Sequence, residues 1–173
     1  ALTFNGPQTV GGTGGRLVFA GTPLFAGNNS VHLSGTGAVV TFGPGVTVQE
    51  TTKSAWSASA GQGYVNQGVM QMSGTNWEVT NLTNQGQVQQ SAGTMTVTGT
   101  LTNSGDFSIA ASARMSGSAF TNLSTGKLGI GLSSTGVGLM TLTDAMTTAG
   151  VLEFQPAAGY TPSVGAQLTF ATF

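Results

Sequence analysis

Leu82-Thr83-Asn84-Gln85-Gly86 and Leu101-Thr102-Asn103-Ser104-Gly105 stand 19 residues apart, and Phe120-Thr121-Asn122 follows after another 19. Eighteen residues before Asn84 the chain reads Asn66-Gln67-Gly68. The fourth copy reaches its glycine late, with two extra residues between Asn122 and Gly126. A period near 19, rich in glycine and β-formers, reads as one rung of a β-solenoid.

Each corner glycine is followed by a short alternating strand. These are Val69-Met70-Gln71-Met72, Gln87-Val88-Gln89-Gln90, Asp106-Phe107-Ser108-Ile109 and Lys127-Leu128-Gly129-Ile130. A second strand per rung reads Trp77-Glu78-Val79, then Met95-Thr96-Val97, then the region of Met115. Alternation predicts Val88, Met95, Val97, Leu101, Phe107, Phe120 and Leu128 inside. Rungs stacked about 4.8 Å apart set equivalent side chains above one another. Asn66, Asn84, Asn103 and Asn122 then form a ladder at one corner, beside Gly68, Gly86, Gly105 and Gly126. Asparagine suits a corner because it tolerates left-handed backbone and bonds nearby backbone groups. Stacked amides can also bond each other. The expected role of the row is structural, ahead of ligand binding.

Composition narrows the function classes. The chain is 5 % charged, its net charge is −1, and its four basic residues are scattered singly as Arg16, Lys53, Arg114 and Lys127. That excludes the electrostatic footprint of a nucleic-acid binder. Low charge also weakens the repulsion that keeps copies apart, so self-association or a surface partner is expected. Cysteine is absent, which removes disulfides and thiolate zinc sites. No apolar run reaches the ~20 residues of a membrane span.

The 173 residues read as one solenoid domain, at about 19 residues per rung roughly nine rungs. Residues 1–63 are strand-like but irregular, with turn signals at Gly11-Gly12, Gly27-Asn28-Asn29, Gly35-Thr36-Gly37 and Gly43-Pro44-Gly45. Residues 64–130 hold the regular rungs, and residues 131–173 the last rungs and an end cap formed by a hairpin-like tail from 159. The segment from Thr51 to Gln62 is the least patterned and reads as a long corner or bulging loop. Trp56 lies in it, which makes Trp56 the best candidate for stacking on a surface sugar, with hydrophobic packing ahead of that role for both Trp56 and Trp77.

The C-terminal run carries a resemblance. Gly150-Val151-Leu152, Gly159-Tyr160, Pro162, Gly165 and Phe170 resemble the last passenger rungs of bacterial autotransporter-type proteins and similar exported β-helix repeats. The resemblance implies a right-handed, three-faced parallel β-helix, located outside the cell or on a bacterial cell surface.

Candidate chemistry is sparse. Glu50, Glu78, Asp106, Asp144 and Glu153 include no two about one rung apart on matching strands, which argues against the paired carboxylates of glycoside hydrolysis. His32 is the single histidine, with no second metal ligand in view, and calcium would need a carboxylate-rich repeat that is not present. No catalytic residue, cofactor or metal is expected. Asp106 and Lys127 both follow a corner glycine and are predicted to stack as an exposed ion pair. Thr94, Thr96, Thr98 and Thr100 form a hydroxyl row of the kind that binds ice, but Glu78 and the Met115-Ser116 region interrupt it. The expected function is an extracellular structural or adhesive β-solenoid, with a filament or surface-layer subunit as its assembled form. The alternative is a monomeric module binding carbohydrate or a host surface, ahead of ice binding or polysaccharide processing.

Overall fold

The computed structural model describes residues 1–20 and 29–173; the turn expected at Gly27-Asn28 falls outside them. The described residues form strands and turns, without a helix. The strands stack in parallel on three faces, as a parallel β-helix does.

The first face holds Leu2–Asn5, Asn29–Ser34, Ser54–Ser57, Asn76–Val79, the first halves of Thr94–Asn103 and Arg114–Asn122, Leu139–Leu142 and Ala171–Thr172. The second holds Gln8–Val10, Val39–Phe42, Gly63–Asn66, Leu82–Asn84, the second halves of the same two long strands, and Met146–Thr148. The third is a separate sheet of Gly15–Phe19, Val46–Glu50, Val69–Met72, Gln87–Gln90, Asp106–Ile109, Lys127–Ser133 and Val151–Pro156.

These strands make seven full rungs and the first strand of an eighth, fewer than the nine expected. The period of 18 to 19 residues holds from Asn66 to Asn122. Outside that stretch the rungs lengthen: Leu2 stands beside Val31, Val31 beside Trp56, and Met140 beside Ala171. One cause is visible after Lys127–Ser133, where the chain turns back in a short antiparallel pairing with Gly136-Val137 before starting the next rung. Solenoids absorb such insertions at corners because each rung needs only its neighbours.

Alternation fills the interior as expected. Val88, Met95, Val97, Leu101, Phe107, Phe120 and Leu128 are all buried. Residues 1–63 carry the same pattern, with inward Val31, Val40, Phe42, Val46 and Val48. The segment from Thr51 to Gln62 is not a bulging loop, because Ser54–Ser57 is a first-face strand paired on both sides. Trp56 is therefore core rather than surface, 1 % exposed. Its ring packs 5.2 to 5.5 Å from those of Phe19, Phe42, Tyr64 and Trp77. Burying so large a ring is worth more than presenting it to solvent, so the candidate sugar-stacking role of Trp56 is corrected.

The segment after Pro156 is not a hairpin. Ala171–Thr172 pairs in parallel with Leu139–Leu142, and Phe170 accepts a hydrogen bond from the Met140 N–H. Tyr160, Leu168 and Phe170 pack partly buried against the core.

Candidate functional site

The corner between the second and third faces is built from the repeat that opens the sequence. Asn66, Asn84, Asn103 and Asn122 are fully buried. The Nδ2 of each donates to the Oδ1 of the next, over 2.8, 2.7 and 2.7 Å. Each Nδ2 also donates to a backbone carbonyl one rung on, of Gln87, Asp106, Lys127 and Val151 in turn. Thr148 Oγ1 ends the row by accepting from Asn122. At the other end the equivalent position is Phe42, and Asn66 Oδ1 is left buried without a partner. None of the four adopts positive φ; Asn81, at the bend between the first and second faces, does, with φ 52°. The ladder thus rests on amide stacking and not on the left-handed backbone that also recommends asparagine at corners.

The glycines beside it are required by close approach. A Cβ on Gly68, Gly86 or Gly105 would strike the backbone carbonyl of Val46, Gly68 or Gly86 in the rung before, and one on Gly126 would strike Asn122 Oδ1. Their φ angles are negative, so space and not backbone freedom selects glycine.

Glu50 is a buried acid that the residue-spacing argument passed over. It stacks between Phe19 and Met72 and is 1 % exposed. Burial pushes its carboxyl up to about 7, against the opposing pull of the Gly74 and Thr52 backbone N–H groups. The signal was present in the sequence: in Val46-Thr47-Val48-Gln49-Glu50, alternation sets Glu50 on the face of Val46 and Val48.

The third face carries a concave polar feature. The outward positions of Asp106–Ile109 and Lys127–Ser133 become small beyond their first residue, at Ser108 and Gly129 and then at Ala110 and Gly131. The flanking rungs carry Gln87 and Gln89 on one side and Glu153 and Gln155 on the other. Three adjoining depressions, of about 210, 260 and 240 Å³, meet at Gln155 and make one trough along the strand direction. Gln155 lies over Gly129, where a Cβ would come within 2.7 Å of its Nε2. Glu153 Oε2 accepts from Gln155 Nε2 at 2.7 Å and pairs with Lys127 Nζ at 2.8 Å. That partnership holds the Lys127 ammonium above its ordinary pKa and the Glu153 carboxyl below its own.

Asp106 and Lys127 do sit side by side on adjacent rungs, as the register predicted. The ion pair, however, is made with Glu153 on the opposite side, and Asp106 adds only a weaker attraction. Sequence reasoning missed Glu153 because the rung between it and Lys127 is lengthened to 24 residues.

The remaining candidates disperse. Thr94 and Thr96 lie on the first face and Thr100 on the second, across a register shift between Val97 and Thr100, so they do not form one flat row. Thr96 does stack with Ser116, Thr141 and Thr172, and the threonines of the repeat make a separate outward column of Thr83, Thr102, Thr121 and Thr147. His32 Nδ1 hydrogen-bonds Ser57 Oγ at 2.7 Å on the exposed side of the first face. Among the described residues no three His, Asp or Glu side chains converge as metal ligands. Comparison with protein-family models, curated proteins and solved structures finds no match to this chain.

Proposed function

We propose that the protein is a structural, adhesive β-solenoid of the bacterial cell surface, a stiff rod that associates with copies of itself through its terminal rungs. The observation that carries this reading is the placement of exposed apolar side chains. Leu2 and Val18 lie in the first rung, and Val151, Phe154, Val164 and Phe173 lie beyond residue 150; among the described residues Leu123 alone is exposed on the flank between them. In the last rung, Met146–Thr148 and Val151–Pro156 pair on their inner side only, among the described residues. Open edges bearing apolar side chains are templates for a further strand. Low net charge opposes such contact weakly. The resemblance of residues 150–170 to passenger rungs supports the placement outside the cell. Sedimentation velocity over a concentration series tests the proposal. Concentration-dependent oligomers that Val151→Lys together with Phe154→Lys return to monomers support it, and a strict monomer at the highest concentration refutes it.

A further inference from the structure

We propose that the trough on the third face binds a short, neutral, linear oligosaccharide. Each depression alone falls below the roughly 300–1,000 Å³ of an ordinary ligand pocket, and only joined do they reach it. From Asp106 to Ala111 the trough runs along five residue steps, about 16 Å, which suits an oligomer over a single ring.

The chemistry of the lining selects the ligand. The strands beneath are bonded in parallel to a neighbour on each side. A peptide lying on this floor therefore finds no free edge to extend, the open edge of Val151–Pro156 facing the end of the stack and not the trough floor. Recognition has to come from side chains, and these are the amides of Gln87, Gln89 and Gln155 with the Asp106 carboxylate. An amide side chain both donates and accepts, as a hydroxyl does, so a row of them matches a row of sugar hydroxyls. Lys127 is neutralised by Glu153, and Asp106 leaves the trough with one net negative charge. That disfavours nucleic acids and acidic polysaccharides. At the far end Ala110, Ala111, Leu132 and Ala157 line the wall, an apolar surface for the C–H side of a ring. Ser108 keeps the floor low enough for close approach, and Gly129 leaves the room in which the Gln155 amide lies across it.

The test uses the full chain, labelled with ¹⁵N, and three probes: cellotetraose, maltotetraose and tetragalacturonate. A neutral tetrasaccharide is expected to shift the amides of Gln87, Gln89, Ser108 and the Gln155 side chain, with Kd on the order of 1 mM or tighter. Ser108→Trp fills the floor from its outward position, and Gln155→Ala removes the central amide. Each is expected to weaken binding about tenfold or more, while core resonances away from the trough, such as those of Val40 and Val97, stay in place. Tighter binding of tetragalacturonate overturns the assignment of a neutral ligand. Shifts from none of the probes at about 10 mM, or full affinity in Ser108→Trp, overturn the site. All readouts are taken at a dilution where the chain is monomeric, so failure here is separate from failure of end association.

Discussion

Asn84 and Asn103 each donate to one amide, accept from another and bond a carbonyl, all at full burial. Removing one from the middle of the row strands two buried groups, whereas Asn66 at the end already carries an unpartnered Oδ1. Asn84→Leu is expected to lower unfolding free energy by about 3–5 kcal/mol, and Asn66→Leu by about 1–3. Urea unfolding ranks the two, and equal losses would show that the amides act singly and not as a chain. Gly105→Ala sets a methyl against the Gly86 carbonyl, a backbone atom that cannot swing away. A loss of about 3 kcal/mol or more is expected in the same assay; a loss under about 1 would mean the rungs separate easily. Glu50 makes stability depend on pH. Its folded pKa of about 7 lies above the ordinary 4.5, so the folded chain holds the proton more tightly than the unfolded chain. Stability is complete below about pH 4.5, falls as pH rises, and levels off beyond about 7, a change of at most about 3 kcal/mol. Unfolding at pH 5 and pH 8 should differ in the natural chain and agree in Glu50→Gln.

At the scale of strands, the legible part of the sequence was the alternation and the regular spacing. Val69–Met72, Gln87–Gln90 and Asp106–Ile109 could be read directly, because each inward residue recurs at a fixed offset with a corner glycine before it. Ser54–Ser57 could not, since the same inward residue recurs only 23 to 25 positions away, from Trp56 to Val79 and from Val31 to Trp56. A single-period reading makes such a strand look like loop. Rungs bonded on both sides open only with their neighbours, while the last rung can fray. Hydrogen exchange should accordingly be slowest at buried amides between Tyr64 and Ile130, and faster in Met146–Thr148 and Val151–Pro156. Uniform protection along the rod would mean that the end rungs are covered.

For the whole molecule, the ends carry exposed apolar side chains and the flank carries the polar trough. No described helix is long and apolar enough to cross a membrane. Sequence by itself determined the parallel β-solenoid, the asparagine corner and the inward set of the central rungs, because a solenoid's contacts repeat at a fixed offset and periodicity records them. It determined no ligand surface. The trough depends on Ser108 and Gly129 lying between Gln89 and Glu153, and that juxtaposition follows from registers across rungs of unequal length. The same holds for Trp56 among its aromatic neighbours and for Lys127 pairing with Glu153 over Asp106. Insertions at corners reset which residues meet, and only the folded stack decides the outcome.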